Sequence, residues 1–190
     1  MSQQTKGEKR NSGRHLVDLI RESRRMALSK FRETYGDGFM LLYGKVDLDP
    51  TVGSGATINL SSNRRKLRQK GIRPQLDFWV FPVRKCVTAN RSAFITLGRG
   101  EMNDICLRHN SVSRVHALVV DRQDGFYLLD AGSSNGTFLN DHRVPDKHTG
   151  GPILIPAGAQ LGVGVFDLMF MHAHGLRDMM GRLTGTDSVE

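Results

Sequence analysis

Across residues 96–144 short apolar runs alternate with polar, glycine-bearing breaks, at a spacing too tight for helices. Val115-His116-Ala117-Leu118-Val119-Val120 and Gly125-Phe126-Tyr127-Leu128-Leu129 are rich in β-branched or aromatic residues and bounded by turn residues, which predicts strands. The same pattern recurs at 78–83, 94–97, 104–107, 153–155, 160–163 and 165–171, each run ended by Gly, Asn, Asp or Pro. Many short strands with no helical period between them predict a mainly β protein, an all-β sandwich over residues 78–172.

The flanks carry a different period. Val17, Ile20, Ala27, Leu28, Phe31 and Tyr35 fall near helical spacing, with Arg21, Arg24, Arg25, Lys30 and Arg32 largely elsewhere. One amphipathic helix over 14–35 is expected, stopped by Gly36-Asp37-Gly38. Residues 39–46 read as a strand and 49–55 as loop, and 64–70 form the densest basic run, ended by Gly71 and Pro74. The chain therefore divides into a polar tail (1–13) expected to be disordered and an N-terminal helical and irregular extension (14–77). The sandwich (78–172) follows, and then a short C-terminal helix with a frayed tail (173–190). The pattern does not decide whether the extension is a small domain or an elaboration of the sandwich.

Composition narrows the class. The 190 residues, 38% hydrophobic, suffice for one domain with extensions. No apolar run approaches the ~20 residues of a membrane helix, and the first residues lack the apolar core of a secretory signal, so no membrane association is expected. Cys86 and Cys106 lie in apolar, strand-like runs and read as reduced, buried residues rather than a disulfide. A cytoplasmic location follows as the expectation. The net charge of +8 is uneven: nine basic against four acidic residues over 1–35, seven against four over 36–77, nine against eight over 78–172, and two against three in the tail. The excess precedes the sandwich, yet it lacks the interleaved aromatics of a single-strand platform and any zinc spacing, so solvated or protein-contacting surface is favoured over nucleic-acid binding.

Three polar clusters punctuate the strands: Gly98-Arg99; Ser113-Arg114-Val115-His116; and Ser133-Ser134-Asn135-Gly136-Thr137 with Asn140 behind it. Placed in loops, they can converge on one anion. Their order and spacing, with the Asn103-Asp104-Ile105 run between the first two, resemble the forkhead-associated (FHA) domain, a β-sandwich that binds phosphothreonine peptides. The resemblance covers roughly residues 78–171. It implies a phosphothreonine-binding module that recruits partners phosphorylated by a Ser/Thr kinase, with no cofactor.

A phosphothreonine carries about −1.5 to −2 charges and three acceptor oxygens, so its binder needs a fixed cation and several aimed donors. Arg99 offers a planar fork for two phosphate oxygens, and Gly98 and Gly100 let the backbone turn beside it. By resemblance Ser113 donates to the phosphate with Arg114 adding contacts, Ser134 supplies a second hydroxyl, and Asn135 holds the peptide backbone. His116 is implied to brace the recognition loops, with Gly98, Gly136, Thr137 and Asn140 maintaining turns and pairing. The loop 108–112 is implied to set preference around the phosphothreonine, and with Ser111 standing where some relatives place a charged reader, no strong acidic or apolar choice follows from it.

Other constellations are weak. Ser113 and His116 lack an orienting carboxylate and an oxyanion hole, so catalysis is not expected. His172 and His174 lack further ligand spacing, so no metal is expected. Gly98-Arg99-Gly100 completes no nucleotide-binding fingerprint. Two alternatives stand beside the phosphopeptide reading: a constitutive scaffold using the helix or the basic segment, and nucleic-acid binding through residues 64–73. Thr5, Thr184 and Thr186, in the expected flexible ends, raise self-association through a phosphorylated tail as a further option.

Overall fold

Side chains along the 39–43 run divide by parity. Met40 and Leu42 are buried on one side, Phe39 and Leu41 on the other, as the two-residue period of a strand demands. A strand buried on both faces must lie inside a sheet with a layer on each side. The computed structural model, which describes residues 13–43, 77–85 and 93–185, shows that arrangement.

The first sheet, among the described residues, contains β1 (Arg14–His15), β2 (Gly38–Tyr43), β3 (Phe78–Pro82), β8 (Thr137–Leu139), β9 (His142–Arg143), β11 (Gln160–Val163) and β12 (Phe166–His172). Their order is β1-β3-β2-β12-β11-β8-β9. The second contains β4 (Ile95–Gly98), β5 (Ile105–Cys106), β6 (Ala117–Arg122), β7 (Gly125–Asp130) and β10 (Ile153–Leu154), in the order β10-β7-β6-β4-β5. All the pairings are antiparallel except β4 with β5.

Between the sheets lie Met40, Leu42, Phe81, Leu97, Ile105, Ala117, Val119, Leu128, Leu161, Leu168 and Phe170. Each fully buried large apolar side chain contributes about 1.5–3 kcal/mol, and this layer holds the two sheets face to face. The outer face of the first sheet is covered by α1 (Leu16–Ser23), α2 (Leu28–Tyr35) and α3 (Ala173–Thr184). Leu16, Leu19, Phe31, Tyr35, Leu176 and Met180 pack there on Phe39, Leu41 and Val80. Residues 14–43 are thus an elaboration of the sandwich: β2 sits between β3 and β12, with Leu41 opposite Val80 and Met169.

The single helix expected over 14–35 is two. Ser23 turns its hydroxyl back to the Leu19 carbonyl at 2.6 Å, Met26 N–H donates to the Ser23 carbonyl, and Ala27 is extended at φ −63°, ψ 155°. An unbroken helix of that length would span about 33 Å and overrun the sheet. The break folds both halves onto one face. Arg177 of α3 clamps them, donating to the Ser23 carbonyl at 2.8 Å with its guanidinium carbon 5.4 Å from the Phe31 ring centre.

No helix among the described residues is long and apolar enough to cross a membrane. Cys106 is buried in β5, whereas Cys86, Thr5, Thr186, the 1–12 segment and the basic run 64–73 lie outside the described residues. Thr184 ends α3 and donates to the Met180 carbonyl at 3.0 Å.

Candidate functional site

Leaving β4 at Gly98, the chain enters the 99–104 loop alongside residues 113 and 114. Arg99 N–H donates to the Ser113 carbonyl at 2.9 Å and Gly100 N–H to the Arg114 carbonyl at 3.1 Å. The approach is so close that a Cβ at Gly98 would collide with the Arg114 carbonyl and the Val115 Cα. Glycine there is required by that contact. The Asn103 amide donates to both the Gly100 carbonyl (2.7 Å) and the Arg114 carbonyl (2.6 Å), fastening the two segments together.

The third segment, 131–136, between β7 and β8, is shaped by Asp130. Its Oδ2 accepts from the amides of Gly132 (3.0 Å) and Ser133 (2.9 Å), and its Oδ1 accepts from the hydroxyls of Ser133 (2.6 Å) and Thr137 (2.5 Å). Burial alone would raise the Asp130 pKa, but these hydrogen bonds outweigh it and hold the carboxyl below its ordinary value. A two-residue turn follows β8, with Asn140 at φ 48° and Asp141 at φ 68°, the left-handed pair that suits a tight hairpin. Asn140 also exchanges two bonds with Gln160, its amide donating at 2.8 Å and its Oδ1 accepting at 2.9 Å.

His116 joins the second and third segments. Its Nδ1 accepts from Ser113 N–H at 3.0 Å and its Nε2 lies 3.1 Å from the Gly136 carbonyl. An amide can only donate and a carbonyl only accept, so the ring is the neutral tautomer protonated at Nε2. The residue is fully buried, and burial lowers its pKa against the pull of the Gly136 carbonyl and the Asp130 charge.

These braces bring Arg99, Ser113, Arg114, Val115 and Ser134 around one open depression of about 580 Å³. Ser134 N–H donates to Ser113 Oγ at 3.1 Å, which leaves that hydroxyl's proton directed elsewhere. Arg99 and Arg114 are exposed, and neither has an ion pair among the described residues. Two cations, two hydroxyls and a preorganised backbone can hold a multiply charged oxyanion. Asn135 stands beside them with one arm engaged, donating to the Ser111 carbonyl at 2.8 Å. Ser111 faces inward to a similar end: its hydroxyl receives Val165 N–H at 3.0 Å and lies 2.8 Å from His109 Nδ1. His172 and His174 point to separate carboxylates, Asp37 at 3.4 Å and Asp178 at 3.5 Å.

Asp130 and the double role of Asn103 emerge only with the fold. The signal for Asp130 was present, since an Asp followed by Ala-Gly-Ser-Ser is a turn-forming pattern. Asp104 is also buried at the base of the first loop, accepting from Thr96 N–H and from Lys85 Nζ, each at 2.8 Å.

Residues 95–164 match the family model of the FHA domain. Human kanadaptin is 40% identical over 67 residues, covering 30% of this chain. The match spans only 9% of that relative's length. Among solved structures the chain is similar to Mycobacterium tuberculosis EmbR in complex with a low-affinity phosphopeptide, at 27% identity over 43% of this chain and 20% of that one, TM-score 0.38. It is also similar to the N-terminal FHA domain of S. cerevisiae Rad53p in complex with a phosphothreonine peptide, at 20% identity over 52% of this chain and 88% of that one, TM-score 0.41. With the family match lying over the three braced loops, this chain carries an FHA domain at residues 95–164.

Proposed function

We propose that this chain is a non-enzymatic, cytoplasmic module that binds phosphothreonine-containing proteins and so recruits partners phosphorylated by a Ser/Thr kinase. The observation that carries this reading is the convergence of Arg99, Ser113, Arg114 and Ser134 on one open depression, with both guanidiniums free of carboxylates among the described residues. A dianionic phosphate replaces the missing counter-charge, Arg99 gripping two oxygens while the Ser113 and Ser134 hydroxyls donate to the third. Asn135 keeps its carbonyl oxygen for the peptide backbone, and Gly98, His116, Gly136, Thr137 and Asn140 hold the loops. Relatives of the same family bind such peptides, among them the Rad53p domain.

Micromolar affinity is expected, on the order of −8 kcal/mol. Titration with a degenerate phosphothreonine peptide library, against unphosphorylated and phosphoserine controls, tests the proposal. Equal binding of all three would end it.

One observation favours a second reading, a constitutive assembly surface. Val17, Ile20, Arg21, Glu22, Arg24 and Arg25 line a groove on α1, mixing partly exposed apolar groups with cations. Because β2 lies inside the sheet, deleting residues 1–77 would unfold the sandwich rather than separate the two readings. Charge reversal at Arg24 and Arg25 does separate them: a phosphopeptide reader keeps its ligand, whereas an assembly surface loses its partner.

A further inference from the structure

Strand β9 leaves the Asn140-Asp141 turn and sets Arg143 opposite Phe138. From there the side chain reaches back to the 134–136 loop. Gly136 has φ +78°, and a Cβ at that position would lie 3.2, 3.3 and 3.4 Å from Nε, Cζ and Nη2 of Arg143. Near-equal distances to three atoms bonded in series in one plane mean that the guanidinium turns its flat face, not an edge, to the glycine. Its N–H donors lie in that plane and so are directed past Gly136. Arg143 is exposed, and no ion pair or hydrogen bond engages its side chain among the described residues. It also stands outside the depression lined by Arg99, Ser113, Arg114, Val115 and Ser134, so the phosphate does not occupy it.

A planar fork is thereby held against the residue that follows Asn135, whose amide is the expected grip on the peptide backbone. Glycine at 136 lets it lie this close, since a Cβ there would require the guanidinium to give by a few tenths of an ångström. A rigid, bidentate donor suits a carboxylate. We propose that Arg143 is a specificity-determining residue, selecting ligands with an Asp or Glu at the flanking position that crosses the 134–136 loop. This rests on the phosphothreonine-binding reading. It also differs from the expectation that loop 108–112 sets preference, because Ser111 there is spent on internal bonds.

The test is a phosphothreonine peptide in which Asp replaces Asn at each flanking position in turn, titrated against the full chain and against Arg143→Gln and Arg143→Lys. The parent is expected to prefer Asp at one position by about three- to fivefold, as an exposed ion pair allows. Arg143→Gln should abolish that preference while leaving affinity for the Asn peptide within about twofold, and Arg143→Lys should restore part of it, through charge without the fork. Preference retained in Arg143→Gln, or Asp and Asn binding alike to the parent, overturns the assignment and leaves phosphothreonine binding intact. Equal weakening toward both peptides, with a lowered Tm, assigns Arg143 to loop support and also overturns it. Failure of every phosphothreonine peptide to bind the parent removes both readings together.

Discussion

His116 and Gly136, twenty residues apart, are joined by one hydrogen bond from a buried imidazole to a main-chain carbonyl at 3.1 Å, while the other ring nitrogen holds the Ser113 amide. Through this ring the 113–116 and 131–136 segments are held at a fixed separation. The site's geometry is therefore inherited from the core and not from its own exposed side chains.

Replacing His116 with Ala removes the ring and leaves the Ser113 amide and the Gly136 carbonyl without partners. The expected loss is about 2–4 kcal/mol of folding stability, a fall in Tm of roughly 5–15 °C for a chain of this size. Denaturant unfolding measures it. Phosphopeptide affinity should weaken as a consequence, and a variant as stable as the parent would contradict the bracing role.

Acidification should act through the same ring. Burial lowers the folded pKa of His116, so near pH 6.5 the unfolded chain takes up a proton that the folded chain refuses. Its contribution is complete above about pH 6.5 and is lost as pH falls from there towards the lowered folded value. Asp130 adds a separate, more acidic window, its contribution complete above about pH 3.8 and lost below as the hydrogen-bonded carboxylate is protonated. Unfolding free energies between pH 7.5 and 5 should decline for the parent and decline less steeply for His116→Ala.

Arg99→Ala should reduce phosphopeptide binding at least tenfold, because losing a charge-assisted, bidentate contact costs about 1.5–3 kcal/mol. The side chain is exposed and unpaired among the described residues, so stability should change by no more than about 0.5 kcal/mol. Isothermal titration and thermal unfolding on the same samples check both halves. Unchanged affinity in the folded variant would place the phosphate elsewhere.

Gly98→Ala tests the close approach of the first two segments. The new Cβ meets main-chain atoms of Arg114 and Val115, which cannot rotate aside, so a cost of about 1–3 kcal/mol is expected together with weakened phosphopeptide binding. Gly151→Ala is the control, since a Cβ there meets nothing within 4 Å and φ is not left-handed. Calorimetry of the two variants should separate them clearly.

Local pattern alone determined much of this protein. Strands such as β6 and β7 are legible because their side chains alternate between a core and a solvent face, and that alternation is written in neighbouring residues. The groups proposed to bind the anion are legible for a related reason: Gly98-Arg99, Ser113 to His116 and Ser133 to Thr137 are each a short unit whose residue types suit a turn and could answer an anion at once. What only the tertiary structure decided depends on distant pairings. The 39–43 run reads as apolar whether it lies at an edge or inside a sheet, and its partners β3 and β12 settle that it is buried on both faces. Residues 14–35 keep one helical period across a break that exists only because both halves must lie on one sheet face. Asn103, Asp130 and Arg143 look like ordinary polar residues until the fold brings the Arg114 carbonyl, the Thr137 hydroxyl and the Gly136 backbone to them. A polar side chain takes its role from the groups packed against it, and those are set by sheet order and register, which no local spacing encodes.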